Sequence, residues 1–195
     1  LDTLRPERFR YITRLGSLAQ TLEGIRAAEE AGFEDIKLNC VLLGGVNEDE
    51  IVDFVNLTRE KPWQIRFIEK MPIGNCTGWG SYIPAQTVLE KCPESEPIES
   101  DGVAACYRLP GAAGTVGLIT PMSHAFCGSC NRIRVTADGK LKFCLHADGE
   151  LPLRGLRGEE LEAAIRKGIL MKPRKHHMEV RDSAATDRAM YEIGG

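Results

Sequence analysis

The chain has 195 residues, 43% of them hydrophobic and 27% charged, the balance of a soluble globular protein with room for one large domain or one and a half small ones. Its formal net charge of −3 excludes a global field that favours nucleic acid or an anionic membrane, so any anionic ligand must be held by a local basic patch. No apolar run approaches the roughly 20 residues of a membrane span, and Leu1-Asp2-Thr3-Leu4-Arg5-Pro6 lacks the pattern of a secretory signal.

The opening residues read as a loop without an initiator Met, so the chain is expected to be a piece of a longer protein. Leu18, Leu22, Ile25 and Ala28 recur at helical spacing between Ser17 and Ala31, and Gly32 stops that helix. Glu29 and Glu30 are expected in solvent. Asp35 to Leu43 alternates and then turns wholly apolar, as a strand buried on both faces would. Asn47 is placed to cap a helix over Glu48–Glu60, with acidic residues in its first turn. Gln64–Glu69 reads as a second strand. Helix, strand, helix, strand is a βα repeat, which predicts an α/β fold with a parallel sheet. Two such units are too few to close a barrel, and a preceding segment is expected to supply the rest.

The pattern changes after Met71. Pro72–Ser81 is a Gly-rich loop, Pro84–Lys91 a short helix, and Glu94–Gly102 an acidic connector. Short strands follow at 104–109, 115–119, 132–137 and 140–144, with Asp138-Gly139 as a two-residue hairpin signal between the last two. Gly158–Leu170 reads as a final helix, and 173–195 as an extended tail.

Cysteines stand at 40, 76, 92, 106, 127, 130 and 144. An odd number without a signal peptide argues against a disulfide framework and for metal chemistry in a reducing cytosol. Cys127-Gly-Ser-Cys130 fits one tight loop, with Gly128 expected to relieve crowding. Cys144 arrives from the far strand of the hairpin, so the spacing C-x2-C-x13-C predicts three thiolates brought together. Buried apolar cysteines are the bland alternative. Zinc with His124 or His146 as fourth ligand, in a non-catalytic binding module, is one metal reading. An iron–sulfur cluster with an open iron is the other.

Arg132 and Arg134 follow directly. In a strand they share a face and make an anion clamp, whereas on a solvated edge they only keep it soluble. Lys37 and Arg66 lie inside predicted strands among apolar residues. Reaching a barrel lumen they imply an anionic ligand, and otherwise a buried ion pair with Glu34 or Glu69. Cys40, Cys76, Cys92 and Cys106 are expected to pack, and the basic run Lys172–His177 to be a solvated turn.

Phe126-Cys127-Gly-Ser-Cys130-Asn131-Arg132-Ile-Arg134-Val-Thr136-Ala-Asp138-Gly139-Lys140-Leu141, followed by Cys144-Leu145, resembles the C-terminal cluster motif of the GTP 3′,8-cyclase family. These are radical S-adenosylmethionine (SAM) lyases of molybdenum-cofactor biosynthesis, also called protein A of that pathway. Leu1-Asp2-Thr3-Leu4 resembles a mid-barrel SLDTL segment without its Ser, and Arg66-Phe67-Ile68-Glu69-Lys70-Met71-Pro72 an RFIE-x-MP strand end. The closing Gly194-Gly195 is similar to the family's double glycine. The resemblance runs over essentially the whole chain.

It implies that residues 1–80 are the C-terminal portion of an incomplete TIM-like barrel and 81–195 a small β-rich region for an auxiliary cluster and GTP. Cys127, Cys130 and Cys144 would hold a 4Fe–4S cluster whose open iron contacts guanine. Lys37, Arg66, Arg132 and Arg134 would bind GTP, Met71 would lie at the SAM site, and Gly194 and Gly195 would support catalysis. The implied reaction inserts guanine C8 into the ribose, giving 3′,8-cyclo-7,8-dihydro-GTP, after a 5′-deoxyadenosyl radical takes the 3′ hydrogen. That radical arises at a second 4Fe–4S cluster bound by CxxxCxxC, a motif these 195 residues do not contain. The chain alone is therefore expected neither to cleave SAM nor to cyclise GTP. The implied setting is cytoplasmic, with cyclic pyranopterin monophosphate synthase acting downstream. No nucleic-acid or membrane partner is implied, and the oligomeric state, a homodimer included, stays open.

Overall fold

The structure is a computed structural model that describes residues 1–73, 78–100, 102–176, 188–189 and 192–193. The chain forms two compact units, one of residues 1–70 with 79–123, the other of 71–78 with 124–195.

The first unit opens with residues 1–5 outside any helix or strand, and helix α1 (Pro6–Thr13) follows. Pro6 supplies the fixed φ that suits a first helical position, Glu7 complements the dipole, and Phe9 is buried. Helix α2 (Leu18–Glu30) follows, and Ser17 Oγ accepts the Gln20 N–H at 3.4 Å as its cap. Glu29 is not left to solvent, since Lys61 Nζ and Trp63 Nε1 both donate to it at 2.9 Å.

Strand β1 (Lys37–Leu42) leads through a 3-10 turn at Glu48–Glu50 into α3 (Ile51–Glu60), then β2 (Gln64–Glu69), α4 (Gln86–Lys91), β3 (Glu96–Pro97), β4 (Ala105–Arg108) and β5 (Thr115–Ile119). The sheet order is β1-β2-β5-β4-β3. The strands β1, β2 and β5 run parallel, and β4 and β3 complete the sheet antiparallel. This is the expected α/β architecture, with a mixed rather than a purely parallel sheet.

Leu38, Cys40, Leu42, Ile65, Phe67, Val116 and Leu118 turn one sheet face into the core. Helix α3 covers it with Ile51, Phe54 and Val55, and Phe54 meets Phe67 edge-on at 6.2 Å between centroids. Each such side chain contributes roughly 1.5–3 kcal/mol by burial. The other face of β1 carries Lys37, Asn39 and Val41 and is not closed over, so the expectation of burial on both faces is corrected. Asn47 precedes the 3-10 turn but makes no cap bond there. Its amide turns back instead, accepting from Leu43 N at 2.9 Å and donating to the Asp2 and Val41 carbonyls at 2.8 Å.

In the second unit a 3-10 turn at Cys127–Ser129 precedes β6 (Arg134–Val135), β7 (Lys140–Lys142), β8 (Glu150–Pro152) and α5 (Gly158–Leu170). The three strands form an antiparallel sheet in chain order. The β6–β7 turn exists but is longer than two residues. Thr136 and Lys140 pair through Thr136 N–H to the Lys140 carbonyl at 2.9 Å, leaving Ala137, Asp138 and Gly139 as the loop. Gly139 at φ +79° takes the left-handed place such a loop needs. Among the described residues, the buried hydrophobic side chains of this unit are Ile73, Leu141, Phe143 and Ile193.

Candidate functional site

Cys127, Cys130 and Cys144 are free and half-buried, whereas Cys40, Cys92 and Cys106 are buried in the first unit. Burial pushes the Cys40 and Cys92 thiols up, which marks them as inert packing groups. Cys76 lies outside the described residues. The Cys127 turn is closed by the Cys130 N–H donating to the Cys127 carbonyl at 3.2 Å. Gly128 does not relieve crowding, because a Cβ there would meet nothing within 4 Å.

Lys172 is the residue that sequence reasoning missed. Its ammonium donates to Cys130 Sγ at 3.2 Å and to the Arg132 carbonyl at 2.6 Å. Burial acts to raise the Cys130 thiol, but the Arg132 amide and the Lys172 ammonium outweigh it and hold the thiol below its ordinary value. Lys172 stands just past α5, at the head of a basic run whose composition resembles any solvated turn.

Cys144 lies two residues beyond β7, so hairpin register alone does not carry its sulfur to the Cys127–Cys130 turn. Its Sγ accepts the His146 N–H at 3.5 Å. Among the described residues, no group of three or more His, Cys, Asp or Glu side chains stands close enough to hold a metal ion. The donor chemistry nevertheless suits a thiolate-held group, with free, half-exposed thiols and N–H groups directed at two of the sulfurs. His146 packs edge-on against His176 at 4.9 Å. Burial first, then the charges of His176, Arg134 and Lys142, hold His146 down to about 4, and among the described residues its buried Nδ1 has no hydrogen-bond partner. His124 is exposed.

Arg132 precedes β6 and is not part of it, so strand alternation does not set its face relative to Arg134. Arg134 Nη1 donates to the Ile193 carbonyl at 3.4 Å. Around it the C-terminal residues dock on the small sheet. Ala137 N–H donates to the Glu192 carbonyl at 3.4 Å, Ile193 is fully buried, and Arg188 pairs with Glu150 at 2.6 Å and Asp138 at 2.9 Å. Gly194 and Gly195 lie outside the described residues. Met71 is half-buried, and its carbonyl accepts the Ile73 N–H at 2.9 Å.

In the first unit, Lys37 opens β1 and Arg66 lies within β2. The parallel register sets Lys37 beside Gln64 and Asn39 beside Arg66, so the two cations share the uncovered sheet face. Neither forms the buried pair with Glu34 or Glu69 weighed from sequence. Lys37 Nζ pairs with Asp35 at 2.5 Å, and Arg66 Nε donates to Gln64 Oε1. Glu69, at the end of β2, faces the interior and is bound by Tyr82, Ala85, Met122 and Ser123. Among the described residues, no helix is long and apolar enough to cross a membrane.

The family model described as Molybdenum Cofactor Synthesis C matches residues 63–178. Along its whole length the chain is similar to curated proteins named GTP 3′,8-cyclase. Identity is 48% over 202 residues with that of Alkaliphilus metalliredigens, 47% over 207 with that of Moorella thermoacetica, and 48% over 203 with that of Peptoclostridium acidaminophilum. The chain covers 63%, 64% and 62% of those relatives, a little under two thirds of each. The matched region contains the Cys127–Cys130 turn, Cys144, Arg66, Arg132, Arg134 and Lys172, and on this match the chain belongs to the Molybdenum Cofactor Synthesis C family.

Proposed function

We propose that this chain serves the cyclisation of GTP to 3′,8-cyclo-7,8-dihydro-GTP, the opening reaction of molybdenum-cofactor synthesis. The observation that carries the reading is 47–48% identity to proteins named GTP 3′,8-cyclase across 100% of the chain. In this reading Cys127, Cys130 and Cys144 hold a 4Fe–4S cluster. Such a group, with only three thiolates, supplies an iron with an open position for a substrate atom.

The chain's own residues bind and orient the nucleotide. The guanidinium groups of Arg66, Arg132 and Arg134 offer paired N–H donors to phosphate oxygens, and Lys37 adds a point charge. Lys172 holds a proton against Cys130 Sγ and so favours the thiolate that ligation requires. Met71 lies on the SAM side, and Gly194 and Gly195 support the reaction. Residues 1–80 contribute part of a TIM-like barrel, consistent with the parallel pairing of β1 and β2, and 81–195 carry the cluster and nucleotide functions. The protein works in the cytoplasm and passes its product to cyclic pyranopterin monophosphate synthase. The 195 residues contain no CxxxCxxC motif, so alone they neither cleave SAM nor cyclise GTP.

One observation favours a second reading. The Nδ1 of His146, two residues from Cys144 and without a hydrogen-bond partner among the described residues, would complete a Cys3His zinc set in a non-catalytic module. Anaerobic reconstitution of the chain, followed by an absorbance spectrum and iron, sulfide and zinc analysis, separates the two. The cyclase reading expects a brown, oxygen-sensitive protein with matched iron and sulfide that binds GTP. Colourless protein with stoichiometric zinc and no GTP affinity would overturn it.

A further inference from the structure

Two neighbours decide where the Arg66 guanidinium lies. Asn39, Arg66, Gly117 and Cys106 stand at one level across β1, β2, β5 and β4. At Gly117 a methyl group would come 3.2 Å from Arg66 Cγ and 3.3 Å from Ala104 Cβ. Gly117 is not among the glycines with positive φ, so a side chain there would be limited by close approach to Arg66 and Ala104 rather than by backbone conformation. The Arg66 stem lies across a strand position that has no side chain to lift it.

Gln64, two residues earlier on the same face, accepts the Arg66 Nε–H through Oε1. Its Nε2 donates to Cys106 Sγ at 3.5 Å, and Cys106 is buried. An amide engaged at both ends is held in one orientation by its partners. With Nε occupied, the outer edge of the guanidinium, Nη1 and Nη2, keeps the parallel pair of N–H donors that matches a phosphate.

We propose that Gln64 and Gly117 are positioning residues that present the Nη edge of Arg66 to a phosphate group of the nucleotide. The proposal deepens the preceding section and rests on its reading of Arg66 as a phosphate ligand.

Calorimetric titration of reconstituted, anaerobic full-length protein with GTP and with guanosine, in the absence of SAM, tests it. Loss of a charge-assisted contact corresponds to about tenfold or more, so Arg66→Ala should weaken GTP binding by that much and leave guanosine unaffected. Gln64→Leu and Gly117→Val should each weaken GTP about three- to tenfold, again sparing guanosine. Placed on Arg66→Ala, neither should add a further loss, because both act through that side chain. If Arg66→Ala binds GTP like the wild type, the assignment of Arg66 fails and the proposal with it. If Arg66→Ala weakens GTP but Gln64→Leu is neutral, or its loss adds in full to that of Arg66→Ala, the proposal alone is overturned. Gln64 is half-buried at the start of β2, so its variant decides the matter even if Gly117→Val fails to fold.

Discussion

Glu69 holds a carboxylate in the interior with hydrogen-bond donors rather than cations as its described partners. The Met122 and Ser123 amides reach Oε2 at 2.9 Å, while Ser123 Oγ at 2.6 Å, Ala85 N at 3.1 Å and Tyr82 OH at 3.2 Å reach Oε1. Burial acts to raise this carboxyl, but the donors outweigh it and hold it below the usual range. Burial and the same carboxylate push the Tyr82 hydroxyl up to about 12. Replacing Glu69 with Gln turns an acceptor edge into an N–H group facing other N–H groups. Glu69→Gln should therefore cost about 2–3 kcal/mol, read as a lower urea midpoint. The pH dependence has a definite sign. A carboxyl that titrates lower when folded than its unfolded value of about 4.3 contributes fully above that value, and the contribution is lost as pH falls through the folded value. Wild-type stability should fall along that acid limb, and Glu69→Gln should flatten it. Sequence placed Glu69 at a strand end but could not show its role, since its partners are 13 to 54 residues away along the chain.

Helix α5 packs on β7 through a glycine, while α2 carries one in the open, and the two predict opposite signs. A Cβ at Gly168 would lie 2.2 Å from Leu141 Cδ2 and 3.2 Å from Phe143 Cε1, both in buried side chains. Alanine normally adds about 1 kcal/mol in a helix interior. Here the overlap should reverse that, so Gly168→Ala should lower stability by about 1–2 kcal/mol. At Gly24 the same Cβ meets nothing within 4 Å, and Gly24→Ala should raise stability by about 0.5–1 kcal/mol. Thermal or urea unfolding of both variants checks the pair. Gln64–Glu69, Thr115–Ile119 and Gly158–Leu170 were legible in sequence because each is long enough to show a period, and the short β6–β7 pair was legible through its Asp138-Gly139 turn. The strands Glu96–Pro97 and Glu150–Pro152 are two and three residues long, too short for any alternation, and exist because a partner strand lies beside them.

For the molecule as a whole, a net charge of −3 hides a division into local ionic clusters. In the second unit Arg188 brings the C-terminal residues onto Asp138 and Glu150, which Lys140 also pairs at 3.4 Å. The Arg188 guanidinium is the largest cause holding both carboxyls below their ordinary values. Docking should persist through the usual carboxylate range and weaken with salt, because the pairs are partly exposed. Arg188→Met should accelerate thermolysin cleavage near the C-terminus, and raised salt should do the same to the wild type. Unchanged cleavage in both would mean that Ile193 anchors the tail unaided.

By itself the sequence determined the α/β class, the βα order and the identity of the chemical groups, because periodicity and residue type are local properties. It also determined the family, because the cysteine–arginine motif is contiguous from Cys127 to Arg134. Tertiary structure alone decided which groups meet. Lys172 reaches Cys130 across 42 residues, Gln64 bridges Cys106 and Arg66, and Gly117 clears the path for an arginine on the next strand. Each of these contacts depends on register and packing between distant segments, and a linear pattern carries no record of the partner.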